Sequence, residues 1–207
     1  MSKRKRSEDD CPVSGEAHCK CLILSPMIAN IESKLPKDLK SILRKLFSDH
    51  VIWTRAVIES SIPEKHPSLS SFTKRLVENQ KDIGDTLKPI IGASNGTRLT
   101  ALLTEHISLA GKAAATLGTS GPKSSRLKSI IAKIFENSDR VGDLLSSLNR
   151  AKLPLKMVQH MFREHNQFVL NLATLRYKKN WPKFVSVFDG YYCHMLAFSD
   201  ALFLALK

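Results

Sequence analysis

Six segments of helical length, each with an apolar stripe that includes one polar residue, constrain the fold of this 207-residue chain more than any other feature. Within each segment, apolar side chains recur at intervals of three and four residues, so they lie on one face of an α-helix. Clusters of proline, glycine and serine separate the segments and predict loops. These clusters lie at 63–71, 92–96, 118–125, 151–154 and 180–182. The pattern predicts an all-α bundle of about six helices.

The polar residues on the six stripes are four histidines and two asparagines. An unpaired imidazole or amide costs about 1–3 kcal/mol when it is buried, so these residues are expected to satisfy one another or to bind a ligand. Neutral imidazoles and amides both donate and accept hydrogen bonds, and they can therefore close a buried network. Histidine is also the commonest transition-metal ligand, and helical bundles build metal sites from facing helices. The candidates for a core polar network or a metal site are His50, Asn79, His106, Asn137, His165 and His194.

Parts of the sequence resemble each other. Residues 78–87 align with residues 136–145, and Glu105-His106 aligns with Glu164-His165 at nearly the same offset. Repeated strings of this kind indicate duplicated structural units. We therefore expect the second and third helices to be duplicated as the fourth and fifth.

The first and sixth helices correspond more weakly, through His50 and His194. In a permuted duplication these two helices form the outer pair. The expected architecture is then a pseudo-twofold bundle built from an internal duplication, with an irregular arm before it.

Residues 1–34 mix basic, acidic, glycine, proline and cysteine residues without helical periodicity. We predict a flexible arm that folds against a partner, followed by the helical bundle at 35–207. The Lys-Arg-Lys-Arg run at 3–6 is of the kind that nuclear import receptors read, although acidic residues follow at once. The arm also offers zinc-type ligands, with free thiols or an intermolecular disulfide as the alternatives, because the spacing departs from the usual Cys-x2–4-Cys pair. These zinc candidates are Cys11, His18, Cys19 and Cys21.

The chain is strongly basic, with a formal net charge of +13. Residues 123–183 contain 13 lysines and arginines against four acidic residues, which gives +9 in that range. Such a surface attracts nucleic acid, anionic lipid or an acidic protein, although a solubilising face has the same composition. Tyr177 and Trp181 lie among the basic residues, as stacking on nucleic-acid bases requires. The candidates for polyanion binding are Lys123, Arg126, Lys128, Lys178, Lys179 and Lys183.

Several classes of protein are disfavoured by what the sequence lacks. No apolar run approaches the roughly 18 residues of a membrane span, and the N-terminus lacks the pattern of a secretory signal. The four cysteines do not form a dense disulfide framework, which favours an intracellular, reducing location. Neither a Gly-x-Ser-x-Gly elbow, a phosphate-binding loop, a dinucleotide fingerprint nor a His-Glu-x-x-His motif is present, so no catalytic residue is assigned and an enzyme is disfavoured.

Polar residues at fixed spacings support a family resemblance. The strings are Leu46-Phe47-x-Asp49-His50-Val51-x-Trp53-Thr54-Arg55, Asn79-Gln80-x-Asp82-Ile83-Gly84, Leu102-Leu103-x-Glu105-His106-Ile107, Glu136-Asn137, and Asp189 with His194 and Asp200. Over most of 35–206 the chain resembles a family of small bacterial helical-bundle proteins of uncharacterised function, often mislabelled acetylglutamate kinase or glycosyltransferase. The resemblance implies the helical fold and the importance of the six polar core residues. The arm and the many basic residues depart from that family and suggest a eukaryotic host or a large DNA virus.

These observations favour a non-catalytic structural or interaction protein. We expect it to dock through its basic surface and its N-terminal arm onto a larger protein assembly, as a virion component or a nucleic-acid-associated protein in the nucleus. The alternative is a metal-binding helical bundle, catalytic or for storage, in which the core histidines bind a transition metal.

Overall fold

The computed structural model describes residues 38–62 and 65–207 and places them in six α-helices. The helices are α1 (Leu39–Ser61), α2 (Leu69–Ile91), α3 (Ala93–Ser120), α4 (Ser125–Leu148), α5 (Leu155–Tyr177) and α6 (Trp181–Leu206). No strand occurs in the described ranges. The predicted all-α class and the number of helices are confirmed.

The helices end and begin where the sequence punctuation predicts. Gly92 and Gly121 follow α2 and α3 and have φ angles of 86° and 72°. Residues with a Cβ atom rarely adopt such positive φ angles. Ser124 and Asn180 cap α4 and α6, because their side chains accept hydrogen bonds from backbone N–H groups of the first turn. These local signals fix the lengths of the helices.

Each helix packs against the helices before and after it, and α6 packs against α1, which closes the bundle into a ring. Helices α1, α3 and α5 also contact one another. They therefore surround the centre, while α2, α4 and α6 lie outside them. Because the connections are short, consecutive helices run antiparallel.

Helices α2 and α3 approach each other closely at Gly84. A Cβ atom at this position would lie 1.8 Å from the Thr100 hydroxyl oxygen. Glycine is therefore required by the packing distance, since any other residue would collide with the neighbouring helix.

Two expectations concern features that the structure does not establish. The arm at 1–34 and its boundary with the bundle lie outside the described residues. The internal duplication stays a prediction, and the structure places His50 on an inner helix but His194 on an outer one. Among the described helices, none has the length and apolar character of a membrane-spanning segment.

Candidate functional site

Three of the four predicted core histidines meet at the centre of the bundle. His50 on α1, His106 on α3 and His165 on α5 are each only 5–6% exposed. The ring centre of His165 lies 5.6 Å from that of His50 and 5.5 Å from that of His106. We call these three residues the imidazole cluster.

The imidazole cluster is held by contacts that recur in each consecutive pair of helices. In each pair, a side chain of the outer helix contacts a backbone carbonyl of the inner helix, one turn before the inner histidine. The contacts are Asn79 Nδ2 to Leu46 O (2.9 Å), Asn137 Nδ2 to Leu102 O (3.1 Å) and His194 Nε2 to Met161 O (3.1 Å). Asn79, Asn137 and His194 therefore fix the distance between the inner and outer helices.

The hydrogen bonds determine which nitrogen of His106 and His165 carries the proton. The Asn137 NH₂ group donates to the Leu102 carbonyl, so the side-chain oxygen of Asn137 faces His106. This oxygen lies 3.1 Å from His106 Nδ1 and accepts a hydrogen bond from the Nδ1–H group. His165 Nδ1 lies 3.1 Å from Met195 Sδ, which is a weak acceptor. Both rings therefore carry their proton on Nδ1 and offer a lone pair at Nε2.

His50 has the opposite tautomer. Its Nδ1 atom lies 3.1 Å from the side-chain nitrogen of Gln80. The two hydrogens of that NH₂ group are shared among His50 Nδ1, the Leu76 carbonyl and the Asn79 side-chain oxygen. An NH₂ group can only donate, so His50 Nδ1 accepts and the proton lies on Nε2. The imidazole cluster thus combines one Nε2–H donor with two Nε2 acceptors.

All three rings are neutral near pH 7. Burial and, to a smaller extent, the nearby His106 together lower the pKa of His50 to about 3. Burial also lowers the pKa of His106, although the hydrogen bond with Asn137 and the charge of Glu105 oppose the shift. The pKa of His165 lies well below its usual value because of burial and because the other histidines surround it.

His194 lies apart from the imidazole cluster, on the outer helix α6. Its Nδ1 atom is 3.7 Å from a Glu164 carboxylate oxygen. Burial lowers the pKa of His194, and the Glu164 charge opposes that shift. His194 therefore fixes the α5–α6 contact, as Asn79 and Asn137 fix the other two pairs.

The geometry gives the metal hypothesis no support. Within 38–62 and 65–207, no group of three His, Cys, Asp or Glu side chains is placed to hold a metal ion. The transition-metal site thus stays a prediction from the sequence. The predicted zinc ligands Cys11, His18, Cys19 and Cys21 lie outside the described residues.

Other buried polar residues were missed by the sequence analysis. Gln80, Ser138 and Asn166 are at most 2% exposed, and the Asn166 amide donates to the Ser138 hydroxyl over 2.9 Å. Each of these residues directly follows Asn79, Asn137 or His165 in the chain. The signal was therefore present, since a helix surrounded by others buries more than a single stripe.

A cavity of about 150 Å³ adjoins the imidazole cluster, and we call it the central cavity. All three histidines line it, together with Thr54 and mostly apolar side chains of the inner helices. The Thr54 hydroxyl is buried beside the Tyr191 hydroxyl, and neither makes a hydrogen bond of ordinary geometry with a described residue. A second cavity of about 40 Å³ is also lined by the imidazole cluster, with Gln80 and Met195.

The predicted polyanion-binding residues gather at one end of the bundle, which we call the basic end. The α3–α4 and α5–α6 connections meet there, since a Cβ atom on Gly121 would lie 3.4 Å from the Tyr177 hydroxyl. All six candidates are exposed, and none forms an ion pair with a described residue. They are Lys123, Arg126, Lys128, Lys178, Lys179 and Lys183.

Lys179 has an unusual backbone conformation at the basic end. Its φ angle of 54° is the only positive value of a non-glycine residue in the described ranges. The Asn180 N–H donates to the Leu175 carbonyl and the Lys179 N–H to the Arg176 carbonyl, which is the Schellman pattern of a helix end. Glycine usually occupies this position, so lysine is held there at a cost in conformational energy.

The fold and the site together define an all-α bundle with a buried cluster of neutral imidazoles. No family model, curated protein or solved structure matches the chain. The resemblance to the bacterial helical-bundle family stays a prediction.

Proposed function

We propose that the protein is a non-catalytic interaction protein that binds single-stranded nucleic acid through the basic end. The gathering of six exposed basic residues without ion-pair partners at one end of the bundle is the observation that supports this function most strongly. Elsewhere some basic side chains are neutralised, as Arg140 is by Glu105 and Arg163 by Asp139. Other basic side chains without a described ion-pair partner, such as Arg98, Arg150 and Lys156, lie away from the basic end. A larger assembly that contains nucleic acid, such as a virus particle, would offer this partner.

The positions of the charges also favour an anionic partner. Arg126 and Lys183 lie in the first turns of α4 and α6, where backbone N–H groups already concentrate positive potential. Neither first turn contains an acidic residue. Positive side chains at these positions weaken the helices slightly, whereas phosphate groups would remove the repulsion.

Exposed aromatic rings favour nucleic acid over other polyanions. Trp181 is 46% exposed and Tyr177 is 37% exposed, both beside Lys178 and Lys179. The Arg176 guanidinium lies 4.9 Å from the centre of the Trp181 ring and restricts its position. A fixed, exposed indole offers a base a surface for stacking.

The imidazole cluster has an architectural role in this proposal. A general acid or base works best when its pKa lies near the operating pH, whereas burial moves the pKa of His50 down to about 3. Its hydrogen bonds instead link the inner helices to the outer ones.

The repeated contacts support an internal repeat of three helical hairpins, α1–α2, α3–α4 and α5–α6, in place of the pseudo-twofold duplication expected from the sequence. Each inner helix contains the same five-residue pattern, apolar-apolar-x-acidic-His, where x is any residue. The pattern occupies 46–50, 102–106 and 161–165. The alignment of 78–87 with 136–145 fits this unit, because both segments lie on outer helices. Pairing His50 with His194 does not fit it.

The function is tested by fluorescence anisotropy with a labelled 20-nucleotide single strand at several salt concentrations. A variant with serine at Lys178, Lys179 and Lys183 is compared with one with serine at Arg98, Arg150 and Lys156, which are exposed towards the opposite end. Both variants lower the net charge equally. We expect the first to lower the salt-dependence slope of binding by about 2, since each lost phosphate contact contributes about 0.7, and the second to leave it unchanged. Equal losses in both variants would show that net charge alone causes the binding, and no binding by the wild type would refute the function.

A further inference from the structure

The central cavity has the size of a small-molecule site. It measures about 150 Å³ and is lined by side chains of α1 to α5 and by Pro122 of the α3–α4 connection. An apolar protein cavity of roughly this volume accommodates a molecule of the size of benzene. The central cavity could thus enclose a ligand built on one six-membered ring.

Small residues on α3 create this space. Ala110, Gly111, Ala113 and Ala114 line the central cavity where larger side chains would fill the core. A cavity weakens a core, because the lining atoms lose van der Waals contacts across it. A ligand that restores those contacts would stabilise the fold.

The lining also determines the polarity of the ligand. It contains no Asp, Glu, Lys or Arg side chain, and the three histidines are neutral, so a charged ligand would be poorly stabilised. Hydrogen-bonding groups are present, however. The Nδ1 atoms of the imidazole cluster make contacts within the protein, while their Nε2 atoms have no hydrogen-bond partner among the described residues.

Thr54 provides an independent indication of a polar ligand group. Thr54 is only 7% exposed and lines the central cavity. Its hydroxyl lies beside the buried Tyr191 hydroxyl, but neither hydroxyl makes a hydrogen bond of ordinary geometry with a described residue. Buried hydroxyls normally have a partner, because an unsatisfied one is costly. A ligand hydroxyl could accept from Thr54 and donate to an imidazole Nε2 atom.

We propose that the central cavity binds a neutral small molecule with a compact apolar ring and one hydroxyl group, of the size of phenol. The ring packs against the small residues of α3, and the hydroxyl binds Thr54 and the imidazole cluster. This site is separate from the basic end and does not depend on nucleic-acid binding.

The proposal is tested by calorimetric titration of the full chain with phenol and with toluene, which has the same ring but no hydroxyl. We expect phenol to bind about tenfold more tightly than toluene, because only phenol pairs the buried polar groups. Thr54→Val, which keeps the side-chain shape, should remove this preference by weakening phenol binding alone. Equal affinities for the two probes, an unchanged phenol affinity in Thr54→Val, or no phenol binding at millimolar concentration would overturn the proposal.

A second pair of variants locates the bound probe. Ala114→Leu places a larger side chain at the wall of the central cavity, whereas Ala101→Leu changes an exposed position of the same helix. Phenol binding should fall at least tenfold in Ala114→Leu and stay unchanged in Ala101→Leu. Equal binding by both variants would place phenol elsewhere and overturn the proposal, and the Thr54→Val comparison decides the matter if Ala114→Leu does not fold.

Discussion

The Nδ1 atom of His106 lies 3.1 Å from the side-chain oxygen of Asn137, which joins a buried imidazole to a buried amide across α3 and α4. Asn137 also donates to the Leu102 carbonyl, so the two contacts together orient both side chains. Both residues are buried, at 5% and 0% exposure, and breaking the contact would leave the His106 Nδ1–H donor without its partner. This relationship makes the polar core a source of stability and of defined helix positions.

Asn137→Leu is expected to lower the free energy of unfolding by about 2 kcal/mol. The substitution nearly keeps the side-chain volume but leaves the His106 Nδ1–H group unpaired in the core. Asn79→Leu should have a similar cost, because Asn79 makes the equivalent contact with the Leu46 carbonyl. Urea unfolding followed by circular dichroism measures both effects.

The control for these variants is Asn171→Leu, at an exposed position of α5. Its effect should stay within about 0.5 kcal/mol, as for most surface substitutions. If Asn137→Leu were no more destabilising than Asn171→Leu, the hydrogen bonds of the core would not contribute as described.

Stability should fall as the pH is lowered below about 6.5. The folded pKa of His50, about 3, lies below the unfolded value of 6.5, so the unfolded chain binds more protons between these values. The neutral, buried state of His50 contributes fully to the free energy of unfolding at pH values well above 6.5. Below pH 6.5 this contribution falls by up to about 1.4 kcal/mol for each pH unit. The lowered pKa values of His106 and His165 act in the same direction.

Urea unfolding at pH 7.5, 6.5 and 5.5 tests this linkage. His50→Gln should lower the change in the free energy of unfolding between pH 6.5 and 5.5 by about 1 kcal/mol, because one such group is removed and the unfolded imidazole is only half protonated at pH 6.5. Stability that does not change between pH 7.5 and 5.5 would mean that the histidines are charged, or accessible to water, in the folded state.

The helices were predictable because their signals are local. Apolar periodicity places α1 to α6, and Gly92 and Gly121 end α2 and α3 with backbone angles that glycine favours. The burial of His50, Asn79 and Asn137 also followed from their positions on apolar faces. These features depend on neighbouring residues, which a single sequence shows directly.

The arrangement of the helices was harder to predict. Whether three or four histidines converge depends on which helices lie inside, and α6 was not distinguishable from α1 by its periodicity. His194 therefore appeared equivalent to His50, although it contacts the Met161 carbonyl from an outer helix. The central cavity was also invisible in the sequence, since its volume results from small residues of α3 facing side chains of other helices.

Two helical glycines should respond in opposite ways to replacement by alanine. Gly84→Ala is expected to lower the free energy of unfolding by about 1–3 kcal/mol. The reason is that the added Cβ atom would lie 1.8 Å from the Thr100 hydroxyl oxygen. At Gly111 a Cβ atom would have no atom within 4 Å, so Gly111→Ala should stabilise by up to about 1 kcal/mol through helix propensity.

Thermal and urea unfolding of both variants measure these changes. Thr100→Ala should relieve much of the cost of Gly84→Ala, because it removes the colliding oxygen. If Gly84→Ala were neutral on its own, α2 and α3 would lie farther apart than described.

Lys179→Gly should stabilise the fold while weakening nucleic-acid binding. Glycine relieves the positive φ angle of 54°, which is worth up to about 1 kcal/mol, and removes one charge of the basic end. Lys178→Gly is the matched control, since Lys178 has a φ angle of −79° and loses the same charge without relieving strain. Urea unfolding measures the stability of both variants, and fluorescence anisotropy measures their nucleic-acid binding. If Lys179→Gly were more stable and bound nucleic acid as well as the wild type, lysine would have no functional reason to occupy this position.

The central claim is that the imidazole cluster is a neutral, hydrogen-bonded network with defined tautomers. Long-range ¹H–¹⁵N correlation spectra of the histidine side chains at pH 7 test it most directly. The structure predicts protons on Nδ1 of His106 and His165 and on Nε2 of His50, with spectra that do not change when a chelator is added. Imidazolium chemical shifts or the opposite tautomer at His106 would contradict this account. Signals that move when the chelator is added would also contradict it, and they would favour a metal site in the core.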